Sequence, residues 1–301
     1  MMTMLEPSIT SRDPKGRRAT GIFEDAYNKA NLDDASAQRL NERGDKMRSG
    51  IQKLISDLAY SRQYANEEVS SRFTYPSQHQ GPKIIAGQVA IIAEIFDLDV
   101  ASALAYTTRL PEIPEEAEGW FAIPSVSALA RVHFPEVDDR GEQYCRALQL
   151  VLEKIADSRK FKSYHENSLE PSNVRVHTRT AEALASLEET QQSDILVIPA
   201  QLGMRHRGRS VRRARECFAG NEFGLTSLAV GSILLTHPER LVRFDELEMD
   251  CAGDEFNSPY SDVRFGFAPV FYFDEDRVEF GTFWFDRAHG HYGSVSGFVP
   301  Q

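Results

Sequence analysis

The chain has 301 residues, 41% hydrophobic and 26% charged, which suits one large domain or two modest ones and argues against a disordered chain, a fibre or a small disulfide scaffold. Lys and Arg number 34 against 45 Asp and Glu, and the resulting net charge of −11 speaks against a broadly basic nucleic-acid-binding face. Three cysteines (Cys145, Cys217, Cys251) without CxxC spacing fit a reducing compartment, so a cytoplasmic protein is expected.

No run approaches the roughly 18 consecutive apolar residues of a membrane span, and the first twenty residues lack the apolar core of a secretory signal. No membrane partner is therefore expected. Residues 1–30 read as a mobile tail, polar at the start and carrying a KGRR cluster. Leu40, Met47, Ile51, Leu54 and Leu58 recur at helical steps and predict one amphipathic helix from about 34 to 70. Such a helix either packs on a domain or pairs with a second copy. The run KIIAGQVAIIAEIF predicts a buried helix, a short helix follows near 100–107, and LPEIPEEAEGW marks an exposed connection. WFAIP predicts a short strand, and Tyr144, Leu148, Val151, Leu152 and Ile155 outline a helix over 141–158.

Lysine is absent after residue 162, a shift that places a boundary near 165 and separates a mainly helical region, 31–165, from an α+β domain, 166–301. Within the latter, a helix at 178–190 precedes DILVIPAQ, a buried strand closed by Pro199. An arginine-rich helix at about 209–218 and an apolar helix, FGLTSLAVGSILL, come next. APVFYF and RVEFGTFWF read as a hairpin turning at Asp274, Glu275 and Asp276, with HYGSVSGFVP as a third strand. The expected fold class is α+β: a helical N-terminal half and a C-terminal α/β portion ending in an antiparallel sheet.

The segment GMRHRGRSVRRARE places Arg205, Arg207, Arg209, Arg212, Arg213 and Arg215 within eleven residues. Guanidinium forks at a helix start can hold phosphate, so nucleic acid or a phosphorylated ligand is one expected partner. The other reading is internal, because residues 216–301 carry 15 acidic side chains against 5 arginines and could neutralise the segment. His289-Gly-His291 could supply two imidazoles to a metal, with Asp250 completing a hydrolytic centre. Cys251 lies among acids that oppose thiolate formation and reads as a buried apolar residue. Neither a P-loop nor a dinucleotide fingerprint is present, so no cofactor is expected.

The run from Asp194 to Cys217, DILVIPAQLGMRHRGRSVRRAREC, together with DCAGDEF and HYGSVSGFVPQ, resembles a family of uncharacterised bacterial hypothetical proteins with no assigned activity. That resemblance implies a bacterial cytoplasmic protein and carries over no site residue. Three functional expectations follow. The first is a non-enzymatic module that binds a phosphate-bearing partner through the arginine helix. The second is a metal-assisted hydrolase using His289, His291 and Asp250, and the third a structural protein that forms a homodimer through the 34–70 helix.

Overall fold

A computed structural model describes residues 14–59, 62–258 and 262–300, which form two compact units, Met1–Ala59 and Tyr60–Gln301. The fold is mixed α+β, with ten α-helices and eleven strands among the described residues. No helix among them is long and apolar enough to cross a membrane.

The first unit is helical: α1 (Pro14–Lys29), α2 (Asp34–Glu42) and α3 (Gly44–Ala59). Part of the expected tail is thus helix, while residues 1–13 lie outside the described residues. The single helix expected over 34–70 is not formed. Asp33 caps α2 by accepting from the Ser36 amide at 2.7 Å, α2 ends at Arg43, and Gly44 opens a separate α3. Two glycines in that stretch weaken a continuous helix, and residues 62–84 are irregular rather than helical.

In the second unit, strands from both sides of residue 166 share one sheet. β1 (Gly119–Pro124), β4 (Ile195–Gln201), β5 (Glu222–Gly224) and β11 (Ser296–Phe298) pair antiparallel in the order β1-β4-β11-β5. Pro199 does not close β4. β11 pairs with β4 only at Ala200 and Gln201, so the missing proline N–H deprives that neighbour of no ladder bond.

The second sheet is mixed. β8 (Phe267–Asp274) and β9 (Arg277–Trp284) form the expected hairpin, with positive φ at Glu275 and Asp276 in its turn. β6 (Glu248–Asp250) and β7 (Asp254–Phe256) lie along the other edge of β8, and β3 (Val174–Val176) continues past β7. β2 (Phe161–Ser163) adds to β9 and β10 (Tyr292–Ser294) adds to β6, both in parallel. The run HYGSVSGFVP is therefore two strands in two sheets, parted at Val295.

Helices α4 (Ile85–Phe96), α5 (Ala101–Thr107), α6 (Val126–His133), α7 (Arg140–Ser158) and α8 (Thr178–Gln191) surround the sheets. α10 (Ser227–Thr236) is the innermost helix: nine of its ten residues are buried, and it touches α7, α4, β1 and β8. Its apolar character all round fits burial on every side. The α10 N-terminus is held by Thr226, whose hydroxyl accepts from the Ala229 amide, and by Asp254 Oδ2, which accepts from the Ser227 amide at 2.6 Å and the Tyr144 hydroxyl at 2.5 Å. One carboxylate thus joins α7, α10 and β7.

Gly231 lets α7 approach α10, since a Cβ there would stand 2.7 Å from Val151 Cγ1. We predict that Gly231→Ala destabilises the protein by about 1–3 kcal/mol in urea denaturation through overpacking. Val151→Ala in the same chain should recover part of that loss, whereas a neutral Gly231→Ala would contradict the close packing.

Candidate functional site

The arginine segment begins where β4 ends. A short 3₁₀ turn, Met204–His206, leads through Gly208 to α9 (Val211–Cys217), capped by Ser210. Val211, Ala214 and Phe218 pack against Ala252 and Ala268, so the apolar face expected of this helix is buried. Along its outer side runs the irregular segment 62–75. The Val69 amide donates to Gly208 O at 2.8 Å and the Ser210 amide donates to Glu67 O at 3.1 Å. Gly208 has a φ of +75°, and a Cβ there would stand 2.2 Å from Val69 O, so only glycine permits the join.

Five of the six arginines meet carboxylates. Arg212 makes a forked pair with Glu67 and lies over the Tyr64 ring at 4.3 Å. Arg213 bonds Glu68 at 2.6 Å and Glu216 at 2.8 Å, and Arg209 contacts Glu68 at 3.4 Å. Arg215 donates to the Ala252 and Asp254 carbonyls at 2.9 and 2.7 Å and lies 3.5 Å from Glu255; burial draws its pKa down to about 10. Arg205 lies 3.4 Å from Glu222, which is buried in β5. That carboxylate also accepts from Ser296 Oγ at 2.6 Å and from His206 Nε2 at 2.7 Å. Because Arg209 donates to His206 Nδ1, the imidazole carries its proton on Nε2. Burial alone would raise Glu222, but its hydrogen bonds from His206 and Ser296 and the Arg205 charge bring it below the usual range.

Arg207 differs. Its guanidinium is exposed and, among the described residues, meets no carboxylate; it donates to Phe73 O at 3.3 Å. Here it borders a band of aromatic rings. Phe73 and His291 have centroids 3.7 Å apart, and His291 stacks on His289 at 5.0 Å. Tyr292 follows His289 at 5.0 Å, Phe283 follows Tyr292 at 4.8 Å, and Phe244, 65% exposed, stands 6.4 Å from His291. Arg72, also exposed and without a carboxylate partner among the described residues, lies 6.0 Å from the Phe73 ring centre. The arginine segment and this band are joined by backbone: the Gly208 amide donates to Tyr292 O at 2.8 Å.

Beneath the band, β6 and β10 pair Glu248 with Tyr292 and Asp250 with Ser294, so these four residues share one face. Burial first, then the neighbouring Asp250 and Asp274 charges, raise Glu248 to about 8; burial raises Asp250 to about 7 against the pull of Arg215. Glu248 is thus chiefly a neutral carboxylic acid at pH 7. The expected grouping of His289, His291 and Asp250 is not the one formed. Glu248, not Asp250, lies beside His291, 4.0 Å from Nδ1, and Asp250 is buried next to Ser294. Among the described residues no group of three or more His, Cys, Asp or Glu is placed to hold a metal ion. The three cysteines are buried and unpaired, as expected of Cys251, and burial raises its thiol.

The acidic partners Glu67 and Glu68 escaped sequence reasoning because they sit in a stretch read as helix. The aromatic band was equally hidden: its rings come from positions 73, 244, 283, 289, 291 and 292, with no common period. No family model, curated protein or solved structure matches the chain.

Removing a part-buried, forked partner forfeits charge-assisted hydrogen bonds and leaves Glu67 unneutralised. We predict that Arg212→Ala lowers stability by about 2 kcal/mol, while Arg207→Ala stays within about 0.5 kcal/mol of wild type in urea denaturation. Equal effects would mean that the Arg212–Glu67 pair adds nothing to stability.

Glu248 generates a pH prediction. Its folded pKa, about 8, lies above the ordinary 4.5, so its contribution is complete below 4.5 and is lost as pH rises through 8. Glu248→Gln stays neutral throughout, and its Tm should gain on that of wild type as pH is raised from about 5 to 9. A Tm difference that does not change with pH would show that Glu248 titrates normally.

Proposed function

We propose that the protein is a binding module for a phosphate-bearing, base-stacking partner, single-stranded nucleic acid. On this reading, bases lie on the band of Phe73, His289, His291, Tyr292, Phe283 and Phe244, and phosphates meet Arg72 and Arg207. The observation that carries the reading is the pairing of a part-exposed aromatic band with two guanidinium groups at its edge that meet no carboxylate among the described residues. Stacking on aromatic side chains beside arginine is how single strands are held without base-specific contacts, and each stacked base contributes about 1–3 kcal/mol. The neutral state of Glu248 supports it too, because a carboxylate beneath the band would repel phosphate. Arg205, Arg209, Arg212, Arg213 and Arg215 then serve to hold the segment that presents Arg207, rather than to touch the partner.

Fluorescence anisotropy with labelled single-stranded RNA and DNA across a salt series tests the proposal. Binding should weaken as salt rises, and fall about tenfold or more in Arg72→Ala, Arg207→Ala and His289→Ala. It should also weaken between pH 7 and 9 in wild type but less so in Glu248→Gln. No salt-sensitive binding, or binding indifferent to all three alanine variants, would sink the proposal.

A further inference from the structure

In the first unit, α1 joins an exposed apolar stripe to an order of charges that the helix does not use itself. Ala19, Ile22, Phe23, Ala26 and Tyr27 recur at steps of three and one, which places them along one side. A stripe of this kind is ordinarily covered, yet α1 has no buried residue: Ile22 is 65% exposed, Phe23 43% and Tyr27 39%. A helix of 16 residues is marginal in water by itself and draws its stability from what its apolar side packs on.

The charges say what the partner is. Lys15, Arg17 and Arg18 occupy the N-terminal half of α1, Glu24 and Asp25 follow, and the first turn holds no acid. That order opposes the helix dipole, whose positive end is the N-terminus, so it does nothing for an isolated α1. Nor do Arg18 and Asp25 meet within the helix, since seven residues separate them by about 10 Å along the axis. Among the described residues, Arg18, Glu24 and Asp25 form no ion pair.

Seven residues are two helical turns, so Arg18 and Asp25 lie on one flank of the apolar stripe, and Arg17 and Glu24 on the other. Two α1 helices side by side in parallel would set arginine against arginine and carboxylate against carboxylate. Run antiparallel about a two-fold axis near Gly21, each flank faces the same flank of the copy. Arg18 then meets Asp25, Arg17 meets Glu24, and each pair is made twice. The same register lays Phe23 of each helix against Ala19 of the other, a large side chain against a small one. We propose that the protein self-associates through α1, two copies packing antiparallel with Ile22, Phe23, Ala26 and Tyr27 between them and Arg18–Asp25 pairs along the rim. A helix of 16 residues is about 24 Å long, which makes this a small interface, so the association is reversible and micromolar. It does not depend on nucleic-acid binding.

Sedimentation velocity of the full chain over a concentration series at about 0.15 M salt tests this. Wild type should pass from monomer to dimer, and Phe23→Ser should dissociate. Asp25→Arg should weaken the dimer about tenfold or more, because each Arg18 then faces an arginine, and adding Arg18→Asp to it should restore the dimer. That restoration separates a lost ion pair from a lost fold. A wild-type chain that stays monomeric to about 200 µM overturns the proposal. A monomer that cosediments with phosphatidylserine vesicles overturns it as well, by giving the stripe to a membrane surface. So does a dimer indifferent to Phe23→Ser or to Asp25→Arg, which would put the interface elsewhere or run the helices parallel.

Discussion

Six guanidinium groups in eleven residues cannot be packed beside one another without anions, and the placement of those anions governs much of the second unit. The carboxylates that answer the arginines come from several parts of the chain: Glu67 and Glu68 from the irregular segment, Glu222 from β5 and Glu255 from β7, with Glu216 on α9 itself. The ion pairs therefore act as long-range clamps. They fix the 62–75 segment against Gly208 and Ser210, and that segment in turn delivers Arg72 and Phe73 to the edge of the second sheet. Charge-assisted, forked pairs of this kind supply geometry as much as energy. Their desolvation cost is moderate because the pairs along the 62–68 segment remain part-exposed.

The same constraint separates holding from presenting. An arginine closed on carboxylate and carbonyl partners, as Arg212 and Arg215 are, offers little to a ligand unless the fold gives way. Arg207, which meets the Phe73 carbonyl and the Met204 thioether but no carboxylate among the described residues, keeps its charge outward. Two buried carboxyl groups complete the arrangement from below. Glu248, raised by burial and by the Asp250 and Asp274 charges, adds little negative charge to the floor of the aromatic band near pH 7, while Asp250, raised by burial to about 7, is part-ionised there.

Long amphipathic and apolar elements were legible in the sequence for a plain reason: their period is written in one continuous stretch. Tyr144, Leu148 and Val151 line the buried face of α7, and Val278 and Phe280 are buried in β9. What was illegible depends on distant partners. The three-residue strands β2, β3, β5, β6 and β7 exist because a neighbouring strand pairs with them, not because of local propensity. The run at 291–300 reads as one strand, yet Val295 marks its passage between sheets. At 62–70, residues read as the end of a helix are drawn out by Glu67 and Glu68 meeting arginines more than 140 positions away. The internal alternative for the arginine segment was visible in charge counts, but the counts pointed to acids after residue 215 and missed these two. Half of the clamp, and the aromatic band it positions, are properties of the fold alone.

The central claim is that the arginine segment holds while the aromatic band receives. Photo-crosslinking of a 4-thiouridine-substituted single-stranded RNA to the full chain, with peptide mapping by mass spectrometry, tests it most directly. The account predicts adducts in the peptides containing Phe73 and His289–Tyr292. Adducts confined to α9, or none above an unrelated acidic protein, would contradict it.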